Sequence, residues 1–368
     1  MTNPRSRDDI LELATRAKQA VHTPSSFMTE LLIQQQQYTC LHWLCHFNIL
    51  TRIPIPPSSI SYHDLAKTTN VPESSLRAVT RMVMTTGFLH EPTPDHVSHS
   101  ALSAPFIQDP HLMTWMLHMV NHTVPFMNGF IRATEKFGPS QKAAETAFNV
   151  AFNTDLAYFP YLKSKPELER EFDAYMQSQS KAHGGAKVEH LLDGFDWASL
   201  RDRALVVDDQ ATPIANARKQ KSTSPDDIWR RTELQEHDFF GPQNIKGADV
   251  YLLRMIIHDW PDDKAVVILQ RLAQAMGPQS RILIMDMVIP APGAGPVLAE
   301  AALREKDLCM RQVFNAKERE TGDWYALVGK VSSKPGLRIK GIIRRPDGCQ
   351  HSVIEVVLDG NGVNGVAR

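Results

Sequence analysis

Hydrophobic positions form continuous runs in the second half of the chain but recur at helical spacings in the first half. Three runs, 204–208, 248–257 and 281–289, have the unbroken apolar pattern of parallel strands that are buried on both faces. An amphipathic segment, 262–276, lies between the last two and is followed by Gly277 and Pro278, which favour a helix end. This helix–turn–strand order predicts a doubly wound sheet. Residues 337–359 predict an antiparallel closing hairpin around a Pro-Asp-Gly turn.

Residues 64–100 have the pattern of a winged helix. Two short apolar periodicities are interrupted just before Pro72, which suits the first turn of the second helix, and Gly87 suits its C-terminal cap. Residues 88–100 then predict a hairpin with Pro-Asp in its turn. The second helix, 73–86, carries Arg77 and Arg81 opposite Glu73, with few polar groups to read bases. The pattern therefore favours packing or dimerisation over DNA recognition.

The segment 101–184 is helical in pattern and rich in methionine and aromatic residues. Core packing accounts for most of them, although such a stretch can also line an adaptable apolar pocket. The residues at near-helical spacings are Trp115, Met116, Met119, Phe126, Met127 and Phe130.

Length and composition restrict the class of protein. At 368 residues, with 42% hydrophobic and 22% charged residues, the chain suits two domains, or one large domain with an appendage, and excludes disordered and fibrous classes. A net charge of −1 lacks the electrostatic footprint of a general nucleic-acid binder. The four cysteines form no CxxC pair, so neither a metal site nor a disulfide framework is indicated. With no apolar leader and no 18-residue apolar run, we expect a soluble cytoplasmic protein without membrane partners.

Three ionisable residues fall where an open α/β sheet binds its ligands, outside the carboxyl ends of its strands. His258 directly follows the strand 248–257, Asp286 lies near the end of 281–289, and Glu318 follows the next helix. An imidazole oriented by a carboxylate is suited to act as general base on a hydroxyl. A single histidine beside Asp-Trp is more often structural. The strand-end position and the two carboxylates make the two interpretations about equal.

Several motifs resemble the S-adenosylmethionine-dependent small-molecule O-methyltransferases of plants and fungi, the caffeic-acid type. These motifs are LLRMIIHDWPDDKA, RILIMDMVIP, FNAKERE, DWASL, LVVD and EHDFFGP, and the resemblance covers nearly the whole chain. It implies an α/β fold, with a Rossmann-like methyltransferase sheet preceded by an all-α winged-helix dimerisation domain. The implied division is 1–110 for dimerisation, 111–185 for a helical linker and substrate pocket, and 186–368 for the methyltransferase domain, shortened at 209–237.

The resemblance also implies roles for individual residues. His258 would be the base that deprotonates a phenol or enol of an aromatic or polyketide-like substrate, with Asp286 and Glu318 steering it. Met176, in EFDAYMQSQS, would clamp the acceptor ring. S-adenosylmethionine would be the cofactor, and the chain would form a homodimer. The residues implied on the cofactor side are Asp208, Asp238, Phe239 and Arg254.

The segment after the first strand departs from the family pattern. Family members have a glycine-rich turn there, followed by a second strand that ends in an acidic residue, but this chain has no glycine between Gly194 and Gly241. The 30 positions from Asp208 to Asp238 suffice for about one βαβ unit. Gln210, Thr212 and Pro213 stand where the cofactor needs bare backbone, and proline lacks an amide donor. The sequence therefore predicts that S-adenosylmethionine binds poorly or not at all.

Four interpretations follow from the motifs and this departure. The protein is a working methyltransferase, a truncated or mis-spliced one, a methyltransferase-fold pericyclase that does not methylate, or a non-catalytic coactivator of a biosynthetic cluster. The HDW and KER motifs favour the O-methyltransferase family of fungal secondary metabolism. We also predict a homodimer that buries more than about 2,000 Å² and is formed through apolar N-terminal helices. The residues predicted on that surface are Leu41, Trp43, Leu44 and Phe47.

Overall fold

The computed structural model describes eight stretches of the chain: 4–182, 191, 194–201, 204–208, 232–234, 237–332, 335–344 and 351–359. The side chains of 4–6, 180–182, 208 and 232–234 are outside this description. The chain divides into two compact units. The first unit is Met1–Pro125 with Leu162–Ala182, and the second is Phe126–Tyr161 with His183–Arg368. The three-part division inferred from the sequence stays a prediction.

Helices dominate the chain up to residue 182, as the spacing of apolar residues predicted. One turn, Met119–Thr123, is π-helical, and Leu50–Arg52 is a 3₁₀ turn. In the described part of the chain, none of the helices combines the length and the apolar character that crossing a membrane requires. The helices are α1 (Pro4–Val21), α2 (Pro24–His46), α3 (Tyr62–Thr69), α4 (Glu73–Met84), α5 (Ala104–Gln108), α6 (Pro110–His118), α7 (Val124–Phe137), α8 (Ala147–Phe152), α9 (Tyr158–Lys163) and α10 (Pro166–Ala182).

The predicted winged helix is confirmed. Helices α3 and α4 are followed by a hairpin of β2 (Leu89–Thr93) and β3 (His96–His99), and β1 (Ile60–Ser61) completes a sheet of order β1-β3-β2. Pro72 is the N-cap of α4 rather than a residue of its first turn. The helix ends at Met84, so Gly87 is not its cap. Gly87 has a φ of +79° and lies in the turn into β2, a conformation that glycine adopts without strain.

The arginines of α4 are engaged within the winged helix. Arg77 pairs with Glu73 at 3.0 Å and with Asp95 in the hairpin turn, and it lies 4.6 Å from the ring centre of Tyr62. Arg81 donates two hydrogen bonds of 3.1 Å to Glu91. Both guanidinium groups therefore stabilise the contact between helix and hairpin, as expected for a packing role.

Most residues of the apolar surface predicted for the homodimer pack inside the winged-helix region, and other apolar residues are exposed instead. Leu44 is fully buried in the core of the winged-helix region, and Leu41 and Trp43 pack against that core. Only Phe47 of the predicted set is exposed, at 41%. The reason is that α2 packs against α4 along its C-terminal half. Exposed apolar side chains lie earlier, on α1 and the first half of α2: Ile10, Leu11, Leu13, Val21, Phe27, Met28, Leu31, Leu32 and Ile33. The homodimer itself stays a prediction.

The second unit contains a sheet of order β5-β4-β6-β7-β10-β9, in which β8 also pairs with β7. Strands β5, β4, β6 and β7 are parallel, and β10 pairs antiparallel with β7 and β9. The strands are β4 (Val206–Asp208), β5 (Thr232–Leu234), β6 (Val250–Arg254), β7 (Arg281–Ile289), β8 (Arg319–Glu320), β9 (Leu337–Ile343) and β10 (His351–Leu358). The helices are α11 (Asp262–Ala273), α12 (Val297–Phe314) and α13 (Thr321–Gly329).

The predicted α/β sheet is therefore present, with β4 and β6 both shorter than the predicted runs 204–208 and 248–257. Strand β7 has the predicted bounds, whereas β6 ends at Arg254 and not at 257. Met255 has a φ of 54°, which takes the chain out of the strand, and a 3₁₀ turn follows at Ile257–Asp259. The order β5-β4-β6 places β4 at the topological switch point, where open α/β sheets bind ligands beyond the carboxyl ends of the strands.

Candidate active site

His258 lies just beyond the carboxyl end of β6. The N–H of Met255 donates to the carbonyl of Met285 at 3.0 Å, which holds the chain beside β7 after it leaves the strand. The 3₁₀ turn then carries His258, and Pro261 stops it as the N-cap of α11. A left-handed residue other than glycine is strained, and such strain is often found at functional sites. The turn leaves His258 only 7% exposed.

Glu318 orients the imidazole of His258. The Nδ1 atom lies 2.7 Å from Oε1 of Glu318, a length typical of a charge-assisted hydrogen bond. Glu318 is 3% exposed, and its own backbone N–H donates to Asp307 at 3.1 Å. Because a carboxylate can only accept, Nδ1 carries the hydrogen, and Nε2 of the neutral ring is left to accept a proton. The structure thus brings these two predicted residues together, and their catalytic roles stay a prediction.

Asp286 is the second predicted carboxylate, and it lies in the middle of β7 with no exposed surface. Neither of its carboxyl oxygens has a hydrogen-bond partner among the described residues. Burial raises the pKa of Asp286 to about 7, the charge of His258 acts to lower that pKa, and the charges of Glu318 and Asp259 act to raise it. A buried carboxyl without a donor is more stable when protonated. Near neutral pH, Asp286 therefore holds a proton in a large share of the molecules.

A third carboxylate, Asp259, faces the other ring nitrogen. Its Oδ1 atom lies 3.6 Å from Nε2 of His258. Burial raises the pKa of Asp259 to about 6, the charge of His258 acts to lower it, and Glu318 acts to raise it. The sequence pattern did not single out this residue, although it follows His258 directly in the HDW motif.

The pKa of His258 reflects these carboxylates. Burial works to lower it, but the charges of Glu318, Asp259 and Asp286 and the hydrogen bond that the ring donates to Glu318 hold the pKa of His258 well above its ordinary value. These carboxylates therefore favour the charged form of the imidazole over the neutral form. The ring accepts a proton at Nε2 only in its neutral form, so the same charges that stabilise the imidazolium make the neutral base less populated.

The cofactor-side residues lie at the carboxyl edge of the sheet or after β5. Asp208 ends β4 opposite Leu252, and Arg254 ends β6. Asp238 accepts from the N–H of Phe240 at 3.0 Å, and Phe239 packs edge-on against Trp260. Asp208 and Arg254 thus end neighbouring parallel strands at the switch point, where a nucleotide cofactor binds in this class of sheet. The backbone thus brings two of the predicted cofactor-side residues to this edge, and their role toward S-adenosylmethionine stays a prediction.

Other predicted features are outside the description or in the other unit. The segment 209–231 and residues 235–236, on which the prediction of weak cofactor binding rests, lie outside the described residues. The side chain of Asp208 does as well. Met176 is a half-buried residue of α10 in the first unit, and its role as a ring clamp stays a prediction.

Known proteins similar to this chain share one description. A family model for the O-methyltransferase domain matches residues 202–332. The O-methyltransferase fsr2 of Gibberella fujikuroi is 49% identical over 96% of this chain and 96% of its own length. That alignment spans 376 positions, more than the 368 residues of this chain, so it includes positions where this chain has no residue. The O-methyltransferase VdtC of Byssochlamys spectabilis is 38% identical over 96% of this chain and 86% of its own length.

Solved structures share the fold at lower identity. OxaC in complex with sinefungin and meleagrin has a TM-score of 0.78 at 19% identity, covering 97% of this chain and 94% of that one. LepI in complex with S-adenosylmethionine has a TM-score of 0.75 at 21% identity, covering 97% of this chain and 95% of that one. Another structure with the same TM-score, identity and coverage is described as a pericyclic reaction enzyme. These likenesses confirm the predicted fold.

Proposed function

Because the chain belongs to the O-methyltransferase family, whose cofactor is S-adenosylmethionine, we propose that it methylates a phenol or enol hydroxyl of a polyketide-like acceptor in fungal secondary metabolism, with His258 as base. The observation that carries this proposal is the 2.7 Å contact between Nδ1 of His258 and Glu318 at the carboxyl edge of the sheet. The high identity to fungal O-methyltransferases over the whole chain supports it.

The side chains divide the proton transfer between them. Nε2 of His258 accepts the proton of the acceptor hydroxyl, which makes the acceptor oxygen more nucleophilic, and the imidazolium later releases this proton to solvent. Glu318 keeps Nδ1 protonated and stabilises the positive charge that the ring acquires. S-adenosylmethionine, when bound, supplies an electrophilic methyl group. The protein's own contribution is thus an oriented base whose charged form is stabilised by neighbouring carboxylates.

Asp286 has a different environment from Glu318, and we assign it a different role. Its charge acts on His258, but no hydrogen bond within the described residues holds it. It therefore tunes the protonation of the base without fixing the ring. Asp286 is one methylene shorter than glutamate, which agrees with a carboxyl that acts through its charge.

The experiment is a transfer assay with deuterium-labelled methyl donor. The purified chain is incubated with saturating labelled S-adenosylmethionine and a panel of phenolic polyketides, including hydroxynaphthalenes and hydroxyanthraquinones. The masses of the products are then measured by mass spectrometry. We expect one labelled methyl group on a hydroxyl of at least one acceptor. If a correctly folded chain converts an acceptor into a product without the label, the proposal of methyl transfer is wrong.

A pericyclase is the second candidate. The structure described as a pericyclic reaction enzyme shares this fold, and the glycine-free segment 209–237 weighs against tight cofactor binding. A pericyclase rearranges its substrate without a change in mass. A product isomeric with its substrate, formed at the same rate with and without labelled donor, would favour this candidate.

The proposal also includes a setting for the reaction. The chain would work as a homodimer in the cytoplasm, where the acceptor and the cofactor are both small soluble molecules. The exposed apolar residues of α1 and α2 support the homodimer, since a surface of this kind is typical of an interface.

A further inference from the structure

Arg319 is a fully buried arginine that holds the backbone on both sides of His258. Its Nη1 donates to the carbonyl oxygen of Ile257 at 3.0 Å, and its Nη2 donates to that of Trp260 at 3.0 Å. These two residues enclose His258 and Asp259 in the 3₁₀ turn. The turn is too short to fix its own position through repeated helical hydrogen bonds. Within the turn, the carbonyl of Ile257 accepts only the N–H of Trp260 at 3.2 Å, and Arg319 adds a donor from another element to it and to the carbonyl of Trp260.

The residue before Arg319 in the chain, Glu318, holds the ring of His258. Glu318 accepts from Nδ1 of the imidazole, and Arg319 follows it directly in sequence. Strand β8 is in turn anchored to the sheet, with Arg319 opposite Val288 of β7. Residues 318 and 319, where β8 begins, therefore hold both the backbone of the turn and the imidazole of His258. A shift of the turn against β8 would change the distance between Nδ1 and the carboxylate.

The guanidinium group is held in one orientation by further contacts. Asp262 accepts from Nη2 at 2.9 Å and from Nε at 3.2 Å, which neutralises the buried charge. The ring centre of Trp324 lies 5.5 Å from Cζ. The planar fork donates four hydrogen bonds from three nitrogen atoms to two carbonyl groups and a carboxylate, whereas the ammonium of lysine has three hydrogens on a single nitrogen. The arrangement therefore requires arginine.

We propose that Arg319 is a positioning residue that sets the place of His258 against Glu318 through the backbone of the turn, without touching acceptor or cofactor. The consequence for catalysis rests on the proposed function, in which His258 is the base. The geometric consequence does not: whatever the reaction, loss of the guanidinium fork should loosen the contact between His258 and Glu318.

The test compares Arg319→Lys with Lys330→Met. Lys330 pairs with the other oxygen of Asp262 at 2.9 Å and is a surface residue, so its variant is a matched control that removes a charge from the same aspartate. The first readout is the titration of His258 by NMR with ¹³C-labelled histidine, its signal assigned by its loss in His258→Gln. The second is kcat and KM for methyl transfer in the labelled-donor assay.

For Arg319→Lys we expect the pKa of His258 to fall toward its ordinary value and kcat to fall by about 10–100-fold, because small displacements of a catalytic group have effects of this size. KM for acceptor and donor should stay unchanged, as should all values for Lys330→Met. A folded Arg319→Lys protein with an unchanged His258 titration and unchanged kcat would overturn the proposal, whatever its melting temperature.

A second variant covers the case in which Arg319→Lys does not fold. Asp262→Asn leaves both carbonyl hydrogen bonds possible but removes the carboxylate that orients the guanidinium group and neutralises its charge, so we expect a smaller change of the His258 titration in the same direction. No change there would also overturn the proposal. If the wild-type chain transfers no methyl group, the proposed function fails, but the NMR titration still tests the positioning role of Arg319.

Discussion

Replacing Asp286 by asparagine should stabilise the protein at alkaline pH. The side chain is fully buried, and its carboxyl oxygens have no hydrogen-bond partner among the described residues, so the ionised form is costly to keep in the folded state. Asparagine has nearly the same volume but no titratable proton. The substitution therefore removes the ionisation without creating a cavity.

The size of the effect follows from the pKa of Asp286, about 7 in the folded protein against an ordinary 3.8. A difference of about three pKa units corresponds to about 4 kcal/mol. Below about pH 4 the carboxyl is protonated in both states, so it makes no difference to stability there. Between about pH 4 and 7 the folded state binds a proton that the unfolded state has released, so the free energy of unfolding falls as pH rises. The gain from Asp286→Asn should thus grow over this range, to at most about 4 kcal/mol.

The assay is urea unfolding of wild type and variant at pH 5, 6, 7 and 8, with thermal melts in parallel. At about 2–4 °C per kcal/mol for a domain of this size, a difference of about 4 kcal/mol at pH 8 corresponds to a melting temperature that differs by about 8–16 °C. Asp249→Asn is the matched control. Burial acts to raise the pKa of Asp249, but the hydrogen bonds from Arg201 and from the N–H of Leu205 hold that pKa below its ordinary value. Its stabilisation is therefore present at neutral pH and is lost as pH falls through the lowered pKa.

The two variants should consequently differ in their response to pH over the measured range. Asp286→Asn gains stability relative to wild type as pH rises from 5 to 7, whereas Asp249→Asn is destabilised by the same amount from pH 5 to 8 and approaches wild type only below about pH 4. An Asp286→Asn difference that is independent of pH, or one that shrinks between pH 5 and 8, would refute the assignment of a buried carboxyl with a raised pKa.

Three other results are expected. Glu318→Gln should move the acid limb of the pH–rate profile to lower pH, because the charge of Glu318 raises the pKa of His258. It should lower turnover less than the loss of His258 does, and an acid limb that stays in place would contradict this prediction. Isothermal titration should show that S-adenosylmethionine binds on the order of 10³-fold or more weakly than it would to a chain with the family's glycine-rich turn, because residues such as Pro213 stand in its place. Micromolar affinity would show that the segment after β4 serves the cofactor well. Sedimentation at micromolar concentration should show a dimer that Leu32→Glu dissociates, because Leu32 is 67% exposed on α2; a wild-type monomer would contradict the predicted interface.

Much of the fold could be predicted because buried parallel strands have a strong pattern. The run 281–289 is apolar throughout except for Asp286, and its bounds as β7 match the pattern. The early end of β6 could not be predicted, because the left-handed conformation of Met255 is set by its contact with Met285 and leaves no mark in composition. The burial of Leu44 was missed for a related reason. Helix α2 is apolar around much of its circumference, so the pattern does not say which side faces the core.

The candidate site was predicted in part. His258 and Glu318 were found because a strand-end histidine and a following acidic residue lie in recognisable motifs, and the structure places them 2.7 Å apart. Arg319 was missed, since an arginine in a charged KER segment is usually a solvated residue and only the tertiary contacts reveal that it is buried. Asp259 was missed because its effect arises from its distance to Nε2, which depends on the 3₁₀ turn. The arrangement of charged groups around His258 depends on tertiary contacts, which the sequence pattern does not reveal.

The most direct test of the account is the rate of labelled methyl transfer by His258→Ala, measured against wild type at saturating S-adenosylmethionine and alkaline pH. His63→Ala is the control, because it removes an exposed imidazole, 77% accessible, from α3 in the other unit. We expect His63→Ala to match wild type and His258→Ala to be slower by about 10²–10⁴-fold, the usual contribution of general-base catalysis. Circular dichroism spectra should be the same for all three proteins. A folded His258→Ala protein that transfers the label at the wild-type rate would contradict the central claim.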